Sequence, residues 1–184
     1  IGSIMESLSL DSSCEDDLMR LKDIFANPSL QMASFTITEK GYAITDAKGT
    51  ILPAIESDCN KGPEKLQSYL GKVASLLYHR FSNGAFPIAM VSMDNCSHNG
   101  DKLRTAILSF ANAWCAKGLA EKSFQAYVEN SSKVSFPWTM IDKITPRPDA
   151  RIEALLEQDG IEDLDAVTTS KNTYIAPFVN AEEC

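Results

Sequence analysis

Pro87-Ile88-Ala89-Met90-Val91 is a short apolar run set between two turn-forming stretches, Ser82-Asn83-Gly84 before it and Ser92-Met93-Asp94-Asn95 after it. A run of that length, apolar at successive positions, predicts a strand covered on both faces, as strands in parallel sheets are. Helical patterns lie on either side. Upstream, Leu66, Leu70, Val73 and Leu77 fall on one stripe and predict a helix from Pro63 to Phe81. Pro63 would sit at the first helical position, where a missing N–H costs nothing. Downstream, Leu103, Ile107, Phe110 and Trp114 share one face of a helix that starts near His98, and a further helix is expected from Leu119 to Asn130.

Further out, Leu18, Leu21 and Phe25 recur at helical spacing between Cys14 and Ala26, and Asn27-Pro28 stops the pattern. Ala33 to Thr38 alternates apolar and polar residues, which predicts a strand with one buried face. Tyr42 to Thr45 reads as a second β-like piece, and Asp46 to Gly62 as a turn-rich surface excursion. Beyond Lys133 the expected elements are strands at Val134 to Phe136 and Ile141 to Thr145, a helix from Asp149 to Gln158, and an extended stretch from Thr173 to Val179. Alternation of helix and strand predicts an α/β layered fold with parallel pairing. A soft boundary is expected near Pro146-Arg147-Pro148.

The 184 residues include 17 basic and 25 acidic side chains, for a net charge of −8. That balance argues against a nucleic-acid binder and against a protein held on anionic lipid by a basic patch. The hydrophobic share of 44% excludes wholesale disorder. The longest apolar run, Ala85 to Val91, contains Pro87 and is too short to span a bilayer. The five cysteines are widely spaced and form no C-x-x-C. A disulfide framework or structural zinc site is not expected, and a reducing compartment, the cytoplasm, fits best.

Ligands of open α/β sheets bind beyond the carboxyl ends of the strands. The loop Ser92 to Asp101 is therefore the first candidate site. The Asn95 amide could donate to a carbonyl oxygen that gains negative charge in a reaction, and Asp94 could accept from a hydroxyl. The same residues equally suit a turn and a helix cap. His98 has the chemistry of a general acid or base, yet no Cys–His or carboxylate–His pairing is readable, so decoration of the helix start is the simpler role. His79 and His98 are too isolated for a metal site. Cys96, Lys40 and Lys143 read as an inert thiol and surface charges. There is no G-x-G-x-x-G, Walker loop or G-x-S-x-G.

Several stretches resemble the long-chain polyol dehydrogenases, the family of mannitol 2-dehydrogenase, fructuronate reductase and tagaturonate reductase. Gly2-Ser3-Ile4 before a helix is similar to a segment late in that family's nucleotide-binding domain. Thr36 to Tyr42 is similar to its T-x-T-E-x-G-Y stretch. Ser92-Met93-Asp94-Asn95 followed by His98-Asn99-Gly100-Asp101 is similar to its S-C-D-N-x-x-x-N-G loop. Phe136-Pro137 followed by Met140 to Pro146 is similar to its F-P-x-x-M-V-D-R-I-T-P run, and Ala176-Pro177-Phe178-Val179 to the segment leading into its catalytic domain. Met93 replaces a common cysteine of the family, and Lys143 its usual arginine.

The resemblance implies the late part of a Rossmann-like cofactor domain over residues 1–146, with 147–184 connecting toward a mostly helical catalytic domain. The chain is then an internal piece of a longer enzyme, and alone it is not competent. The Gly-rich phosphate loop is expected before it and the catalytic lysine after it. Also implied are NAD as cofactor, with NADP as the alternative, a sugar or sugar-acid substrate, and no metal. Asn95 matches a residue of the family's oxyanion-binding site, and Asp142 one that positions substrate. Glu39 and Asp94 lie at the cofactor end of the strands, with loop shaping as the other role for Asp94. Against this stand a non-catalytic binding or scaffold module and, less favoured, a hydrolase using Asp94.

Overall fold

A computed structural model describes residues 3–11, 13–64, 66–141, 148–172 and 174–178. The chain falls into two compact units, Ile1–Thr139 and Met140–Cys184. In the first, α1 (Glu15–Ala26) leads to β1 (Met32–Phe35) and a 3-10 turn at Glu39–Tyr42. Then come α2 (Pro53–Lys61), α3 (Tyr69–Ser82), β2 (Ile88–Ser92), α4 (Asn99–Ala116), α5 (Lys122–Glu129) and β3 (Val134–Ser135). The sheet order is β1-β2-β3, parallel throughout, with Met32 opposite Ala89, Phe35 opposite Ser92 and Ile88 opposite Val134.

The apolar run is thus the central strand, and Ile88, Met90 and Val91 are all buried. Both predicted stripes face the core. Leu70, Val73 and Leu77 of α3 pack there with Leu103, Ile107, Phe110 and Trp114 of α4. Full burial of such side chains contributes about 1.5–3 kcal/mol each, so these two helices dominate the hydrophobic term. Phe124 of α5 joins the same core, its ring 5.0 Å from that of Tyr78.

Three expectations need correction. Asp46 to Gly62 is not only a surface excursion, because α2 occupies Pro53–Lys61 with Pro53 at its N-terminus. The α3 helix begins at Tyr69, not Pro63. Asp58 of α2 is the cause: its fully buried carboxylate accepts from the Gln67 amide at 3.0 Å, the Ser68 amide at 2.7 Å and the Ser68 hydroxyl at 2.6 Å. Those bonds hold residues 67 and 68 outside the helix, and the Ser68 hydroxyl then caps the Gly71 amide at 3.0 Å. Leu66 still reaches the core, but from the connecting segment. Lastly, Tyr42 to Thr45 is no strand. Tyr42 ends the 3-10 turn, and Thr45 makes an isolated bridge to Ile51 around a turn in which the Asp46 carboxylate accepts from the Lys48 and Thr50 amides.

Arg80 of α3 is fully buried, with no carboxylate partner among the described residues. Its guanidinium donates to the carbonyls of Phe25, Asn27, Leu30, Phe86 and Pro87 at 2.7–2.9 Å. One side chain therefore ties the end of α1 and the entries to β1 and β2 together.

In the second unit, α6 (Ala150–Gln158) is capped by the Asp149 carboxylate, which accepts from the Arg151 amide at 2.8 Å. A short antiparallel pair joins β4 (Val167–Thr168) to β5 (Tyr174–Ile175), the latter inside the stretch expected to be extended. The strand expected from Ile141 to Thr145 lies, beyond its first residue, outside the described residues, as does the boundary expected at 146. Among the described residues no helix is long and apolar enough to cross a membrane.

Candidate functional site at the carboxyl edge of the sheet

The loops that follow β1 and β2 are fastened to each other by one carboxylate. Asp94, two residues beyond β2, accepts from the Ile37 amide at 2.9 Å and the Thr38 amide at 2.8 Å. It also accepts from the Tyr42 hydroxyl, which lies 2.6 Å from the Ser92 hydroxyl. Thr38 is held at φ +64°, a costly conformation for a β-branched residue, which these bonds maintain. Burial works to raise the Asp94 carboxyl. The Ile37 amide, the Tyr42 hydroxyl and the Thr38 amide outweigh it and hold the group below the usual carboxylate range. Burial and the neighbouring Asp94 push the Tyr42 hydroxyl far above the ordinary phenol value, so it stays a donor. Only 6% exposed, Asp94 is directed at the backbone.

Asn99 and Gly100 make a second fastening. The buried Asn99 amide donates to the Asp94 carbonyl at 3.1 Å, the Thr139 carbonyl at 3.1 Å and the Thr139 hydroxyl at 2.7 Å. Its oxygen accepts from the Thr139 amide at 3.1 Å. The Thr139 hydroxyl in turn donates to the carbonyl of Ser92, the last residue of β2. A Cβ on Gly100 would stand 2.5 Å from the Phe136 carbonyl oxygen and 2.7 Å from that of Pro137. Only glycine lets the α4 start and the segment after β3 approach so closely. Tyr42, Asn99, Gly100 and Thr139 carry this scaffold. Only the place of Tyr42, Asn99 and Gly100 within the quoted motifs signalled them, and Thr139, at an unspecified position, carried no signal.

Asn95 is exposed on the loop between β2 and α4. Glu39 is exposed on the 3-10 turn and paired with Lys102 of α4 at 2.7 Å, which lowers its carboxyl and raises the lysine. A cleft of about 440 Å³ lies here, lined by Glu39, Tyr42, Ile44, His98, Asp101 and Lys102 among others. His98 stands at φ +53° immediately before α4, and its ring meets that of Trp138 edge-on at 4.4 Å. The structure thus brings Glu39, Asp94 and Asn95 to one edge of the sheet. Asp142 lies outside the described residues. Among the described residues no group of His, Cys, Asp and Glu could hold a metal ion.

A parallel sheet with helical crossovers and a polar rim at its carboxyl edge defines a Rossmann-type α/β domain. The profile of the mannitol dehydrogenase Rossmann domain matches residues 3–173, and the chain belongs to that family. It is 50% identical over 182 residues to D-mannonate oxidoreductase of Thermotoga maritima, covering 99% of this chain and 33% of that protein. It is 30% identical over 168 residues to D-mannonate oxidoreductase of Escherichia coli, covering 89% of this chain and 32% of the relative. A solved structure of Pseudomonas fluorescens mannitol 2-dehydrogenase, a ternary complex with NAD and D-mannitol, superposes with a TM-score of 0.59 at 31% identity. It covers 98% of this chain and 34% of that one. The chain thus spans about a third of the length of the curated relatives it matches.

Proposed function

We propose that the full-length protein carrying this chain is an NAD-dependent oxidoreductase that interconverts a sugar ketone and its alcohol, with a sugar acid of the mannonate–fructuronate type as substrate. The observation that carries this reading is the 50% identity to a D-mannonate oxidoreductase across 99% of the chain. Tagaturonate and fructose belong to the same substrate class and stand next in order. Residues 1–146 would serve as the later part of the cofactor domain, and 147–184 would lead toward the catalytic domain.

The residues present fit one end of a dinucleotide. The cleft of about 440 Å³ between the 3-10 turn and α4 suits the ring end. The pyrophosphate calls for a Gly-rich turn at a helix N-terminus, and this sequence contains no G-x-G-x-x-G. A bound nicotinamide would supply the hydride. This chain's own residues orient and stabilise. Asp94 fixes the loop between β2 and α4 against the loop after β1. Asn95, exposed on the former loop, would donate its amide N–H to the substrate oxygen as negative charge grows there. Glu39 would border the cofactor, and Asp142 would position substrate.

Replacing Asn95 by Ala in the full-length protein should lower kcat by about 10²-fold or more with nucleotide affinity nearly unchanged, since such a donor acts mainly in the transition state. Asp142→Ala should raise KM as well. The measurement is nicotinamide absorbance on a panel of ketoses and uronates. An Asn95 variant that keeps most of its kcat and melts several degrees earlier would make Asn95 a loop residue. Absence of turnover on the whole panel by the unmodified protein would favour a binding module.

A further inference from the structure

Trp138 is the large aromatic side chain that the fold leaves in the open beside the loop carrying Asn95. It is 61% exposed, whereas Trp114 is fully buried and donates its indole N–H to the Asp58 carbonyl at 3.0 Å. The position of Trp138 is fixed from both sides. On one side Thr139 is bonded to Asn99 and to the carbonyl of Ser92, at the carboxyl end of the central strand. On the other, the Trp138 and His98 rings meet in a T-shaped contact, centroids 4.4 Å apart at 68°. His98 reaches that contact from a left-handed backbone conformation, φ +53° and ψ 42°, which a side chain with a Cβ adopts at some cost. The His98 ring also lines the cleft shared with Glu39, Asp101 and Lys102.

Both rings occupy positions that the quoted motifs leave open. His98 is one of the unspecified residues between Asp94-Asn95 and Asn99-Gly100, and Trp138 is unspecified between Phe136-Pro137 and Met140. Of the scaffold residues next to them, Asn99 is a motif residue, and Thr139 is unspecified like Trp138. Side chains that a fixed scaffold presents beside a site of common chemistry can set which substrate fits.

We propose that His98 and Trp138 form a specificity-determining aromatic wall for the sugar chain of the substrate. This inference rests on the oxidoreductase reading above. A polyhydroxylated chain has hydroxyls on its edges and weakly polarised C–H groups on its faces. The Trp138 ring offers an electron-rich face to those C–H groups. His98, on the wall itself, offers an imidazole to the hydroxyls, while the cleft beyond it is left to the ring end of the cofactor. An exposed indole held in place in the free protein gives up little side-chain freedom when substrate covers it. The wall acts on binding and leaves the chemical step to other residues.

The test uses the full-length protein with NAD, and D-mannonate and D-mannitol as probes. Trp138→Ala should raise KM for the preferred probe about tenfold or more and leave kcat within about twofold, because it removes binding common to ground and transition states. Trp138→Phe should restore most of the lost affinity, and His98→Ala should fall between. Iodide should quench Trp138 in the unmodified protein, and the preferred probe should protect it; Trp138→Phe should abolish that protection. Turnover by the unmodified protein together with an unchanged KM in Trp138→Ala overturns the wall and leaves the oxidoreductase reading standing. Insensitivity of Trp138 to iodide before any probe is added also overturns it, since the rest of the protein would then cover the ring. Absence of turnover on both probes, with no protection by either, overturns the wall too, and turnover on the wider panel then tells whether the oxidoreductase reading fails with it.

Discussion

The Asp94 carboxylate accepts from two backbone amides and from the Tyr42 hydroxyl, and its native pKa lies below the ordinary aspartate value. A carboxyl depressed by folding stabilises the fold fully above its unfolded value, about 3.9. That contribution is lost as pH falls through the lower native value. Asp94→Asn would set an amide NH2 against backbone N–H groups or leave one of them unpaired. It should cost about 1–3 kcal/mol near neutral pH. Thermal melts should show the gap between the two proteins narrowing below pH 4, where the native Asp94 loses its advantage. A gap that stays constant over that range would mean the carboxylate charge is not what holds the loop. From sequence, Asp94 could be read as a ligand group or a loop group. Its bonds lie with residues 56 and 57 positions earlier in the chain, and no local pattern encodes a contact of that range.

Among the elements, α3 and α4 were legible because their stripes repeat at helical spacing over a dozen residues or more, and every stripe residue is buried. Helix α2 was not, although Pro53 stands at its N-terminus, where a missing N–H costs nothing. Nine residues with only Ile55 and Asp58 buried carry too weak a period to read. The start of α3 was misplaced because Asp58, a residue of a different helix, competes for the amides of residues 67 and 68. Arg80 is the strongest link between elements, with one guanidinium serving five carbonyls. Arg80→Met would leave those buried acceptors unpaired and should cost on the order of 3–5 kcal/mol. Lysine, with three donors against the five of arginine, should recover only part of it. Urea denaturation compares the variants directly. A loss within about 0.5 kcal/mol, typical of surface positions, would show that water replaces the guanidinium without penalty.

At the scale of the molecule, the chain holds the carboxyl edge of a parallel sheet and lacks a Gly-rich phosphate turn in its sequence. By itself the 184-residue chain should therefore bind NADH weakly or not at all, because a pyrophosphate needs backbone donors at a helix N-terminus. Calorimetric titration checks this directly. A dissociation constant in the low micromolar range would mean that the cleft between the 3-10 turn and α4 supplies most of the affinity.

The sequence by itself determined the α/β class, the central strand, the two helices that bury the core and the edge at which the polar loop stands. These follow from local periodicity and turn chemistry, which act over a few residues and are written into consecutive side chains. Tertiary structure decided where α3 starts, that α2 exists, and that Asp94, Asn99 and Gly100 hold the loops after β1, β2 and β3 together. It also decided that His98 and Trp138, 40 positions apart, share a ring contact at 4.4 Å. Those outcomes depend on which buried donor finds which acceptor once the chain has folded back on itself, and that competition is settled in three dimensions rather than along the chain.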